Sequence, residues 1–92
     1  MTRSVHWSRA ARADVKAIVR HVSIYDYRAA VSLRKQIDDA ALYVAQASVR
    51  FKEGRLPGTQ ELVVTRNYIL VFRALPDRID VVNVVHTRQQ YP

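Results

Sequence analysis

The chain contains no cysteine, which excludes disulfides and thiolate metal sites and suits a reduced, cytoplasmic setting. It has two glycines, three prolines and no Gly/Ser-, Pro- or Gln-rich stretch. No linker is therefore visible, and one domain spanning residues 1–92 is expected. No apolar run approaches the length of a bilayer-spanning helix, and the opening MTRSVHWSRAARADVK lacks the apolar segment of a signal peptide. No membrane association is expected. Carboxylates are scarce, eight against fifteen Lys and Arg, which leaves a net charge of +7. Such a chain needs an anionic partner: nucleic acid, an acidic protein, or both in turn. His6, His21 and His86 lie too far apart to suggest a metal site by spacing, and Glu53 and Glu61 form no paired-carboxylate pattern. No metal or cofactor is expected.

Twelve of the fifteen cations are arginine, the side chain suited to bidentate contact with phosphates and carboxylates. Their excess sits early, with eight Lys/Arg against Asp14 and Asp26 in residues 1–35. There, after the short β-prone SVHW, Ser8 is a plausible helix cap. Ala11, Val15, Ile18 and Val22 follow at spacings of one helical turn and define an apolar stripe. Arg9, Arg12, Lys16 and Arg20 fall on the opposite face. A row of cations on a helix is more often a solvated face than a binding site. Residues 23–27 break the pattern, with Asp26 able to cap the next helix. Ala30, Leu33, Ile37, Ala40, Ala41 and Val44 then form a second stripe. Two amphipathic helices so closely joined predict an αα-hairpin.

Residues 48–59 hold both glycines and a proline and read as a loop. Beyond it the period becomes that of strands, over residues 61–65, 67–75 and 78–86, joined at Arg66-Asn67 and Pro76-Asp77. The expected fold class is α+β in the order β-α-α-β-β-β. The helical hairpin packs on one face of a mostly antiparallel four-stranded sheet. In the middle strand Tyr68, Leu70, Phe72 and Ala74 point one way, and Ile69, Val71, Arg73 and Leu75 the other. In the last strand Val82 and Val84 oppose Ile79, Val81 and Val85. Both faces are apolar, but two helices cover only one of them. The second is expected as an exposed apolar binding surface.

The segments GRLPGTQELVV, NYILVFRA and IDVVNVVHTRQQYP resemble the RelE/ParE toxin superfamily. The resemblance rests on Gly54-Arg55, Pro57-Gly58-Thr59, Glu61-Leu62, Tyr68-Ile69 through Phe72-Arg73, and His86 through Tyr91-Pro92. Trp7-Ser8 and the helix bearing Asp14 and Ile18 also suit it, so it covers nearly the whole chain. It implies the same element order and the toxin of a bacterial type II toxin–antitoxin system.

The superfamily holds two activities. RelE-type members cut messenger RNA in the ribosome, and ParE-type members poison DNA gyrase. A metal-free ribonuclease must activate a 2′-hydroxyl, protonate a leaving oxygen and stabilise a charged phosphorane. RelE-like nucleases place an Arg after the aromatic that opens the middle strand, where this chain has Ile69 after Tyr68. Lysines of such nucleases correspond to Leu62 and Val64. An aliphatic face cannot hold a dianionic transition state, so the resemblance implies a ParE-like gyrase inhibitor. Its partner would be a ParD-like antitoxin whose acidic amphipathic C-terminal segment folds onto the toxin as a hetero-oligomer. The expected antitoxin contacts are Leu62, Val64, Ile69 and Val71, with Arg66 and Arg73 on the rim. The expected gyrase contacts are His86, Arg88 and Tyr91, with the cationic first helix secondary. Two alternatives remain open. A ribonuclease would use Arg55, Arg73, His86, Arg88 and Tyr91 as its basic site, with His86 as general acid and Tyr91 stacked on a base. A non-toxic basic nucleic-acid-binding module would need only the charge.

Overall fold

The computed structural model describes residues 2–91. The first strand, β1 (Ser4–Trp7), leads into α1 (Arg9–Tyr25) and α2 (Tyr27–Gln46). Four further strands follow: β2 (Lys52–Glu53), β3 (Gln60–Thr65), β4 (Tyr68–Ala74) and β5 (Arg78–His86). The sheet order is β1-β5-β4-β3-β2, with β1 parallel to β5 and the other pairs antiparallel. The α+β class and the helical hairpin match the expectation from sequence. The sheet, however, has five strands and not four.

The extra strand lies inside the segment read as a loop. Its two residues pair Lys52 with Glu61 and Glu53 with Gln60. Just before it, the Phe51 ring stands edge-on to Phe72 at 5.6 Å and to Tyr43 at 5.9 Å, and its N–H donates to Gln60 Oε1. One aromatic anchor thus holds a short edge against β3. No alternation pattern survives in a strand of two residues, so periodicity could not reveal it.

Two capping residues set the hairpin. Ser8 accepts a hydrogen bond from Ala11 N–H at 2.9 Å and donates its hydroxyl to Val82 O at 2.8 Å. It therefore starts α1 and ties that start to β5. Asp26 is the whole connection between the helices. Its N–H donates to Val22 O, ending α1, and its carboxylate accepts from Ala29 N–H, starting α2. The break expected over residues 23–27 thus shrinks to one residue, and α1 runs on to Tyr25. Arg3, one of the many cations, is structural. Its guanidinium donates to Val44 O, Ala47 O and Leu75 O, closing the C-terminal end of α2.

The main core lies between the hairpin and one face of the sheet. Ala11, Val15, Leu33, Ile37, Ala41 and Val44 meet Leu70, Phe72, Ile79, Val81 and Val84 there. The pairing shifts between β4 and β5: Val71 stands opposite Asn83 and Phe72 opposite Val81, leaving Val82 as the extra residue of a bulge. The bulge reverses the facing order expected for β5. Val84 joins Ile79 and Val81 on the helix side, while Val82 joins Val85 on the other. Asp14 of α1 meets this irregularity, its Oδ2 accepting from Val84 N–H at 3.0 Å and from Asn83 Nδ2 at 2.9 Å.

Candidate functional site

The Gly54–Arg55 and Pro57-Gly58-Thr59 motifs build one tight turn. Gly54 N–H donates to Thr59 O at 2.8 Å, and Thr59 donates both N–H and hydroxyl to Leu56 O. Gly58 takes a φ of 78°, a left-handed conformation that favours glycine. A side chain on Gly54 would overlap Thr59 Oγ1. The turn aims Arg55 across the sheet face opposite the helices. There its guanidinium carbon lies 4.6 Å from the centre of the Tyr91 ring, and Nη1 donates to Gln89 O and Tyr91 O.

That clamp changes the reading of the second face. Ile69, Val71 and Val85 form a small cluster of their own, buried with Val82 and Tyr91 packed against it. The tail covers the apolar surface expected to be open. The Tyr91 hydroxyl is itself buried without a hydrogen-bond partner among the described residues. Two of the expected antitoxin contacts also change sides. Leu62 pairs with Leu70, and both Leu62 and Val64 pack into the helix-side core. Strand parity forces this: on β3 it is Glu61 and Val63 that share a face with Val71 and Ile69. Val63 is 63% exposed, whereas Ile69 is 8% exposed. Arg66 and Arg73 are exposed, and Arg73 shares the second face with Val71.

The five residues considered for a ribonuclease site are divided by the sheet. Arg55, Arg73 and Tyr91 belong to the second face. His86 pairs with Tyr68 on the helix side, the two rings edge to face at 5.3 Å. Its Nδ1 accepts the Arg88 N–H at 3.0 Å, which favours the tautomer protonated at Nε2. His86 lines a small cleft of about 270 Å³ with Asp14, Ile18, His21, Tyr68 and Gln89. Arg88 is exposed beside it. The tail residues His86 and Gln89 therefore adjoin the second half of α1.

A larger groove, of about 570 Å³, runs between the helices. Trp7, Val15 and Val19 give it an apolar floor, and Arg12, Lys16, Arg20 and Arg34 a basic rim. Only Arg34 has an acidic partner there, Asp38 at 3.4 Å. Among the described residues Arg12, Lys16 and Arg20 form no ion pair. Sequence reasoning found the row of cations on α1 but not the groove. That needed the position of α2, which supplies Arg34, and of β1, which supplies Trp7. The described residues contain no group of three or more side chains able to hold a metal, and no helix is long and apolar enough to cross a membrane.

Over residues 5–91 the chain matches the model described as the ParE toxin of type II toxin–antitoxin system, parDE, and it belongs to that family. A chain of the chromosomal ParDE TA system from P. aeruginosa superposes with a TM-score of 0.81 at 21% identity, covering 92% of this chain and 96% of that one. A chain of the E. coli DinJ-YafQ toxin–antitoxin complex gives 0.59 at 16%, covering 94% and 93%. YafQ from E. coli strain BL21(DE3) gives 0.53 at 18%, covering 92% and 93%. At such identities these likenesses establish the fold alone. No curated protein matches the chain.

Proposed function

We propose that this toxin is a single-domain cytoplasmic inhibitor of DNA gyrase, held inactive by a co-encoded ParD-like antitoxin in a hetero-oligomer. The observation that carries the gyrase reading over cleavage of messenger RNA in the ribosome is the division of the basic residues by the sheet. A general acid must reach the same phosphate as the cations that stabilise it. His86 stands on the helix side while Arg55, Arg73 and Tyr91 stand on the other, where Ile69, Val71 and Val85 form an aliphatic cluster beside the buried Glu61. Inhibition by binding needs neither a chemical step nor a cofactor. Target contact falls to the exposed Arg88 and its neighbour His86, with Tyr91 available if the tail lifts.

The groove between α1 and α2 suits the antitoxin's acidic amphipathic segment: apolar residues meet Trp7, Val15 and Val19, and carboxylates meet the unpaired Arg12, Lys16 and Arg20. Arg66, Arg73 and the exposed Val63 offer a second contact across the sheet. Ile69 and Val71 become reachable only where the antitoxin displaces Tyr91.

Inducible expression in a bacterium tests the reading. Filamentation with an early DNA-damage response and continuing translation is the expected outcome. Immediate translation arrest with messenger RNA cut at codon positions would replace it with the ribonuclease reading.

A further inference from the structure

The far end of the helical hairpin presents four large apolar side chains to solvent. Ile24 is 72% exposed, Tyr25 79%, Tyr27 73% and Val31 54%. None belongs to either core cluster, so the fold does not account for them. They are also held in place rather than left on a loose loop. Asp26 joins the helices by itself, bonded to Val22 O on one side and Ala29 N–H on the other. Tyr27 and Val31 stand one helical turn apart on α2, and Tyr25 packs edge-on against His21 at 5.5 Å on α1. Rigid, exposed tyrosines beside branched aliphatics are the composition of a protein-binding hot spot.

The charge around the tip selects the partner. Arg20 and Arg28 flank it, and neither forms an ion pair among the described residues. The one nearby carboxylate, Asp26, is engaged as a helix cap. A second copy of this chain, itself at +7, would bring like charges together there. Phosphate backbones would satisfy the arginines but have no use for Ile24 and Val31.

The tip is also continuous with the tail. His21 lines the same cleft as His86 and Gln89 and touches Tyr25, so one surface runs from Gln89 to Tyr25. We propose that the hairpin tip is the apolar anchor of the toxin's target contact, docking on an acidic patch of the target protein that contains an apolar slot. This rests on the gyrase reading for the target's identity alone. The groove between the helices opens beside the tip, since Arg20 and Ser23 line it. An acidic segment seated there would obstruct the anchor, which couples neutralisation to occlusion.

The test uses the full chain carrying Tyr25→Ser with Tyr27→Ser, and separately Arg28→Glu. Neither variant touches the core, and unchanged melting temperatures check the fold. Three quantities are measured: growth arrest on induction, gyrase-mediated DNA cleavage by purified toxin with intact gyrase, and affinity for the co-encoded full-length antitoxin. The expected result is that about tenfold more toxin is required for arrest and for gyrase inhibition, with antitoxin affinity within about threefold of wild type. Variants as toxic as wild type would overturn the proposal, and so would a loss confined to antitoxin affinity. A concentration-dependent dimer abolished by the tyrosine changes, with toxicity intact, would assign the tip to self-association and overturn it as well. If wild type spares gyrase but the variants lose growth arrest, the gyrase reading falls and the anchor stands for another target. A wild type that neither arrests growth nor inhibits gyrase overturns both.

Discussion

Replacing Asp14 with alanine should be among the most damaging single changes outside the apolar core. One oxygen of Asp14 receives the Val84 N–H at 3.0 Å and the Asn83 side-chain amide at 2.9 Å. Val84 is 2% exposed and sits just past the bulge. Removing the carboxylate strands its amide away from water, at about 1–3 kcal/mol. The Asn83 amide can turn toward solvent, so its bond adds only about 0.5–1.5 kcal/mol. Together Asp14→Ala should cost roughly 2–4 kcal/mol, a large share of the roughly 5–14 kcal/mol that holds a domain of this size. At about 4–8 °C per kcal/mol the melting temperature should fall by more than about 8 °C. Asp14→Asn keeps a carbonyl for Val84 and loses the ionic strengthening, so about 1 kcal/mol is expected. The double change Asp14→Ala with Asn83→Ala should cost less than the sum of its parts, because both remove one bond. Thermal and urea unfolding at neutral pH measure these three variants and Asn83→Ala alone. An Asp14→Ala variant within about 0.5 kcal/mol of wild type, or one no worse than Asp14→Asn, would refute the reasoning.

Gly54→Ala should destabilise by about 1–3 kcal/mol, because its Cβ overlaps Oγ1 of the buried Thr59 and lies 3.3 Å from Thr59 Cβ. Thr59→Ala should relieve part of that cost in a double variant read by urea unfolding. Tyr91→Ala should lower stability by about 1–2 kcal/mol and raise binding of an apolar dye, since Ile69 and Val71 lose their cover and Arg55 its stacking partner. The Lys35 ammonium is raised above its usual range by its hydrogen bond to Asp39 and then by that residue's charge. A raised amine stabilises the fold below its ordinary pKa and loses the contribution as pH climbs through the raised value. Both side chains are largely exposed, however, so Lys35→Gln should leave the melting temperature unchanged at neutral pH.

Much of the fold is legible in the sequence because its signals are local. Ser8 and Asp26 cap helices as their positions suggest, and the two helical stripes pack as read. Strand β5 spans residues 78–86 as expected. What escaped depends on contacts between distant segments. The bulge at Val82 inverts part of β5, and no residue in that apolar run distinguishes one parity from the other. Leu62 and Val64 face the helices because β3 takes its register from β4. Tyr91 is held on the second face by Arg55, supplied by a turn 36 residues earlier. The candidate site was legible as residue types and not as an arrangement. The arginines, His86 and Tyr91 are present as noted, but the sheet separates them.

The most direct test of the central claim combines purified toxin with intact gyrase, supercoiled DNA and ATP, with and without the co-encoded antitoxin. A parallel reaction offers the same toxin to translating ribosomes. The expected result is accumulation of cleaved DNA–gyrase complex that the antitoxin abolishes, with messenger RNA left whole. Messenger RNA cut on the ribosome with gyrase unaffected would contradict it.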